Sequence, residues 1–230
     1  MTVYQYPVLS GNVERIPTAC RALDDLLGGG IEAGSVTLFY GEAGSGKSNI
    51  CLQMAYNVLA SGKKVAYIDT EGLSYDRIKQ IFKNNVSMKD MLVFQVHSFE
   101  EQSDRVDKVA KIAETGIIRL IIMDSMTMFY RLNYDDVLMR NDFVRQTETL
   151  LNVARVHNIP VVLTSQVYTN IRTGMVEFLG GHAMHHNAKT IIRLDLRGRG
   201  TRSAVIIKHR SLPEGKSAVF RITADGVRDV

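Results

Sequence analysis

The run Gly41-Glu42-Ala43-Gly44-Ser45-Gly46-Lys47-Ser48 decides how this chain reads. It meets the pattern G-x-x-x-x-G-K-[ST] at every fixed position, and phosphate binding gives a reason for each one. Glycines let successive backbone N–H groups turn inward around phosphate oxygens, and the start of a following helix adds a favourable dipole. Lys47 reaches the β- and γ-phosphates and the Ser48 hydroxyl ligates Mg²⁺, so the stretch predicts a site for ATP and Mg²⁺. The pattern counts only between a strand and a helix. Ser35 to Tyr40 reads as a buried strand and Lys47 to about Ser61 as a helix, which supplies that setting.

Strand and helix patterns alternate outward from the loop: a strand Lys64 to Asp69, a helix near Tyr75 to Asn84, a strand Leu92 to Val96, a helix from about Phe99 to Glu114. A strand Arg119 to Asp124, a helix near Val137 to His157 and a strand Pro160 to Gln166 follow. Such alternation predicts an α/β fold with a mostly parallel central sheet and helices on both faces. After Gln166 a glycine-containing loop runs to His186. Three strand-like runs then follow without a helix, Thr190 to Leu196, Ser203 to His209 and Ser217 to Thr223, separated by Gly198-Arg199-Gly200 and Pro213-Glu214-Gly215. They predict a C-terminal antiparallel extension of the sheet. Upstream, Thr18 is placed to cap a short helix through Leu23, Leu26 and Leu27, stopped by Gly28-Gly29-Gly30.

The 230 residues read as one domain, with 1–15 as an irregular N-terminal segment. Hydrophobic residues make up 45% and charged residues 23%, values of an ordinary globular chain and not of a disordered one. No apolar run approaches the roughly 20 residues that span a bilayer, so no membrane association and a cytoplasmic location are expected. Cys20 and Cys51 fall within predicted helices and form no C-x-x-C pair, which reads as two small buried hydrophobes. The net charge of +4 is unevenly spread. Between Lys189 and Lys216 eight cations face two anions, a local excess of +6.

A Mg²⁺-dependent phosphate loop needs a carboxylate at the end of a neighbouring buried strand, and Leu120-Ile121-Ile122-Met123-Asp124 supplies Asp124 as the metal-side candidate, with a helix cap after the strand as the alternative. Glu71, two residues after the strand that ends at Asp69, is placed to orient an attacking water; by spacing alone it is equally a solvent-exposed loop acid. Gln166 ends the strand Val161-Val162-Leu163-Thr164-Ser165. Its amide there either touches the γ-phosphate or is an ordinary polar strand end. The cations Arg197, Arg199 and Arg202 crowd one turn and Lys208 and Arg210 end the next strand, so a converging DNA-binding patch is expected beside the reading as a solvated face. His182, His185 and His186 lack a cysteine or carboxylate at ligand spacing, which argues against a metal cluster.

The phosphate loop with Asn49, together with Tyr67-Ile68-Asp69-Thr70-Glu71-Gly72, resembles the core of the RecA/RadA recombinase family, and essentially the whole chain shares in the likeness. Ile16-Pro17-Thr18 to Gly28-Gly29-Gly30 and Lys208-His209-Arg210-Ser211-Leu212-Pro213-Glu214-Gly215 look like the archaeal RadB branch of that family. The resemblance implies a RecA-like P-loop ATPase core. It makes Glu71 the catalytic carboxylate, Gln166 the γ-phosphate sensor and Arg77 an adenine-stacking residue, and it supports DNA binding. It also places Lys208 where RadA has an aspartate that reaches the neighbouring subunit's nucleotide, which implies a lysine acting in trans and a possible homo-oligomer. His186 matches a histidine that couples ATP to DNA.

Departures from the full recombinases limit the activity expected. Those carry an N-terminal DNA-binding domain and a phenylalanine-containing polymerisation motif before the core, and neither is visible here. Where their first DNA loop is rich in arginine, this chain has Tyr130-Arg131-Leu132-Asn133-Tyr134-Asp135-Asp136, and the stretch from Gln166 to Gly180 is shorter than their second loop. The expectation is a DNA-binding, ATP-binding accessory protein of homologous recombination and repair. It would hydrolyse ATP weakly, exchange strands little or not at all, and act with the main recombinase or a Holliday-junction nuclease. The alternative is a KaiC-like regulatory ATPase that works by nucleotide-controlled oligomerisation without DNA.

Overall fold

The computed structural model describes residues 13–83, 86–132, 136–169 and 176–230. Residues 1–12, 84–85 at the expected end of the helix from Tyr75, 133–135 of the first loop and 170–175 of the second lie outside the described residues, together with the expectations made for those stretches. The chain runs β1 (Arg15–Ile16), α1 (Arg21–Leu26), β2 (Ile31–Glu32), β3 (Val36–Gly41), α2 (Lys47–Ala60), β4 (Lys64–Asp69), α3 (Tyr75–Phe82) and β5 (Met91–Gln95). It continues through α4 (Phe99–Ala113), β6 (Ile118–Asp124), α5 (Val137–His157), β7 (Val161–Ser165), β8 (Val167–Thr169), β9 (Val176–Phe178) and α6 (Gly181–Asn187). The last strands are β10 (Thr190–Gly198), β11 (Thr201–His209), β12 (Ser217–Thr223) and β13 (Gly226–Asp229).

Nine strands form the main sheet in the order β13-β12-β11-β10-β3-β7-β6-β4-β5. From β10 to β5 neighbours are parallel, and β10 through β13 form the antiparallel extension. Successive side chains point to opposite faces, which sorts the core into two. Phe39, Tyr67, Ile122 and Val162 pack beneath α1, α2 and α3, whereas Leu38, Ala66, Ile121, Met123 and Leu163 pack beneath α4 and α5. Because β3, β4, β6 and β7 are parallel, their C-terminal residues Gly41, Asp69, Asp124 and Ser165 all deliver their loops to one edge of the sheet. That edge is where open α/β sheets bind ligands.

Four local expectations are corrected. Thr18 does not cap α1: Cys20 holds the N-cap position, Thr18 donates instead to Asp24 Oδ1 (2.8 Å), and the free Ala22 N–H is accepted by Asp229 Oδ1 at 2.8 Å. The stretch from Gln166 to His186 is not only a loop, since the antiparallel ribbon β8–β9 and helix α6 lie within it. A fourth antiparallel strand, β13, follows β12. The cations also fail to converge. Arg197, Arg199 and Arg202 flank the β10–β11 turn at the loop-bearing edge, while Lys208 pairs with Ile191 at the other end of the hairpin. Six residues of strand separate Arg202 from Lys208, about 20 Å at the strand rise.

Candidate nucleotide site

The phosphate loop follows β3 directly, and space dictates its glycines at Gly41 and Gly46. A Cβ on Gly41 would lie 2.3 Å from the Leu194 carbonyl oxygen, and Gly46 has φ +106° with Phe220 and Ile222 against it. Glu42, Ala43 and Gly44 are exposed at the tip of the loop, while Ser45, Gly46 and Lys47 are buried and Ser48 and Asn49 half-buried at the start of α2. Lys47 Nζ donates to the carbonyls of Gly41 (2.9 Å) and Glu42 (3.1 Å). Burial holds its ammonium below the ordinary lysine value, opposed by the nearby carboxylates of Glu71 and Asp124. An added anion would relieve that cost.

Asp124 ends β6, 2% exposed. Its Oδ1 accepts from Thr164 Oγ1 at 2.6 Å and its Oδ2 from Tyr67 OH at 2.8 Å. Beside it Asp69 shapes the loop that presents Glu71, accepting from the backbone N–H groups of Gly72 and Leu73 at 2.8 Å each. Gln166 Nε2 donates to Glu71 Oε1 at 2.9 Å, so two residues 95 apart in sequence meet. The guanidinium of Arg131, from the one-turn helix Tyr130–Leu132, donates in turn to the Gln166 amide oxygen. Gln166 thus stands between Glu71 and a larger cleft of 790 Å³ bounded by Tyr130, Arg140, Phe143 and Leu179.

A 260 Å³ cleft at the loop-bearing edge is lined by Ser48, Asn49, Asp69, Glu71, Arg77 and Asp124. Arg77 Nε donates to Asn49 Oδ1 (2.5 Å) and its Nη1 to the Ala224 carbonyl (3.1 Å), which pins it between α2 and the β12–β13 turn. Two buried donors have no partner among the described residues: Arg77 Nη2 beside this cleft and the Ser45 hydroxyl within the phosphate loop. Buried donors left free in this way fit a ligand rich in acceptors. The Ser48 hydroxyl and the Asp124 carboxylate supply hard oxygen ligands suited to Mg²⁺.

The cations expected on the DNA side divide by partner. Arg202 Nε donates to the Gly44 carbonyl of the phosphate loop at 2.8 Å, and Arg197 Nε donates to Ser203 Oγ at 2.9 Å. Arg199 sits at the exposed turn with φ +50°. Arg210 pairs with the buried Glu32 at 2.5 Å, and Lys208 donates to the His185 carbonyl. His182 and His186 stack with ring centroids 6.0 Å apart on α6. Sequence spacing gave no signal for Tyr67, Thr164 or the Arg131–Gln166 contact, because each depends on the register of strands distant in sequence.

The Rad51 family model matches residues 10–230. The chain is 47% identical to "DNA repair and recombination protein RadB" of Methanococcoides burtonii over 94% of this chain and 98% of that protein. It is 39% identical to the protein of the same name from Archaeoglobus fulgidus, over 92% and 97%. Among solved structures, the "Crystal structure of the RadB recombinase" superposes with a TM-score of 0.82 at 36% identity, covering 94% of this chain and 99% of that one. With the family model spanning residues 10–230 and relatives at 39% and 47% identity over nearly their whole length, the chain belongs to the Rad51 family and, within it, to the archaeal RadB group.

Proposed function

We propose that this chain is a Mg²⁺-dependent ATP-binding, DNA-binding accessory protein of homologous recombination and DNA repair, with weak hydrolysis and little or no strand exchange. The observation that carries the reading is the meeting of Glu71 with Gln166 at the edge where Lys47, Ser48 and Asp124 also stand. Lys47 and the loop N–H groups hold the phosphates, Ser48 and Asp124 hold the metal, and Arg77 with Asn49 faces the base. When bound, Mg²⁺ screens the charge that builds on the transferred phosphoryl oxygens. Glu71 is the group placed to orient a water, and Gln166 engages its carboxylate. Engagement of the γ-phosphate by the Gln166 amide would free Glu71, which ties hydrolysis to the position of Arg131 and the first loop.

The names of the relatives support the recombination and repair role, and main recombinases or Holliday-junction nucleases are the protein partners to test. DNA contact is assigned to the hairpin end, Arg197, Arg199 and Arg202, whose phosphate contacts would be indifferent to sequence. A gel-shift assay with and without ATP tests the reading. We expect binding to unrelated DNA sequences, and neither extensive filaments nor exchanged strands from the protein alone. Absence of any DNA complex, with ATP instead changing the oligomeric state, would replace this reading with that of a KaiC-like regulatory ATPase.

A further inference from the structure

Asp124 stands at the end of the strand β6, between β4 and β7, and each neighbour sends one hydroxyl to its carboxylate. Register explains the convergence. Tyr67 is level with Ile122, two residues before Asp124 and on the same face, and Leu163 is level with Met123, which places Thr164 beside Asp124. Tyr67 and Thr164 are both 0% exposed, so no water competes for these bonds. A carboxylate offers about four acceptor positions, and two neutral donors leave the others open while fixing the plane of the group. A lysine or arginine at either place would neutralise the charge that a cation needs.

We propose that Tyr67 and Thr164 are positioning residues for the metal: the pair clamps the two oxygens of Asp124 and so sets the affinity of the nucleotide site for Mg²⁺. The inference rests on the proposed nucleotide reading. Partners that orient a metal-side carboxylate typically change metal affinity by about 10- to 100-fold when removed. The nucleotide, gripped by the phosphate loop, loses little from the same change.

The test measures binding of a fluorescent ADP analogue to the full chain, in EDTA and across a Mg²⁺ titration. Direct Mn²⁺ binding by electron paramagnetic resonance gives a readout independent of turnover. Tyr67→Phe and Thr164→Val should each raise the half-saturating Mg²⁺ and weaken Mn²⁺ binding by about 10-fold, with affinity in EDTA unchanged. Thr164→Ser, which keeps the hydroxyl, should restore the parent value. If Thr164→Val does not fold, Tyr67→Phe, which removes one oxygen and leaves the ring, decides alone. Parent-like metal titrations in Tyr67→Phe, or equal losses with and without Mg²⁺, would overturn the inference. A parent protein that binds no nucleotide under either condition would instead refute the underlying nucleotide reading.

Discussion

Lys47 carries an ammonium into a place where two carbonyls are its only hydrogen-bond partners among the described residues and where burial disfavours its charge. Under the proposed nucleotide reading that charge serves the ligand, so replacing Lys47 should separate stability from binding. Lys47→Met preserves the stem's packing. Without nucleotide its unfolding free energy should stay within about 1 kcal/mol of the parent, since the lost hydrogen bonds and the relieved desolvation oppose one another. Its nucleotide affinity should fall about 10- to 100-fold, the value of a charge-assisted hydrogen bond, and the thermal shift on adding ATP and Mg²⁺ should shrink accordingly. A parent-like shift in Lys47→Met would remove Lys47 from the site. The phosphate loop is legible as a fixed spacing between strand and helix, and Asp124 as a carboxylate that ends a buried strand. The hydroxyl partners of Asp124 are not, because nothing in the sequence states that residues 67, 124 and 164 lie side by side.

At the scale of elements, the boundaries of β3, α2, β4 and α5 follow from apolar period and glycine positions and agree with the sequence to within a residue or so. Helix α6 escaped because Gly181–Asn187 buries only Met184 and Asn187, too few for a period to show, and β13 has four residues. The cap of α1 comes from Asp229, 207 residues away, where no local pattern points. The basic C-terminal segment shows most clearly how charge counts mislead. Arg210 and Arg15 both pair with Glu32, which is 3% exposed and ties β2 to the segment after β11. Burial alone would raise the Glu32 carboxyl, but the Arg210 and Arg15 guanidinium groups outweigh it and hold it below its ordinary value of 4.5. A depressed carboxyl stabilises the fold above the unfolded value and loses that contribution as pH falls through the folded one. Glu32→Gln should therefore lower unfolding free energy by about 1 to 3 kcal/mol at pH 7, with the gap to the parent closing on acidification below about pH 4. Urea titrations at the two pH values check it. Arg210→Ala should cost stability in the same way and leave the salt dependence of DNA binding unchanged, whereas Arg197→Ala with Arg199→Ala should flatten the slope of log affinity against log salt by up to about 2. A slope untouched by the hairpin pair would take DNA away from that end of the sheet.

For the molecule as a whole, the sheet decides which nucleotide Lys208 is able to serve. Lys208 pairs with Ile191, and Ile191 with Leu38, three residues short of Gly41. Two strand spacings across and three residues along place its Cα about 14 Å from the start of its own phosphate loop, farther than a four-carbon stem spans. Its ammonium meanwhile donates to the His185 carbonyl, burial together with the nearby Lys189 lowers its pKa, and among the described residues no carboxylate pairs with it. The two roles proposed for it are contact with the phosphates of DNA and contact with the γ-phosphate held by a neighbouring copy. A fixed ammonium at a γ-phosphate stabilises the charge spread over its oxygens during transfer, as an arginine finger does. Action in trans requires that hydrolysis per subunit rise with protein concentration, proceed without potassium, and fall at least about 10-fold in Lys208→Ala while DNA affinity changes little. Hydrolysis independent of concentration, with Lys208→Ala losing DNA binding alone, would assign Lys208 to the nucleic-acid surface and leave each subunit to turn over its own nucleotide unaided.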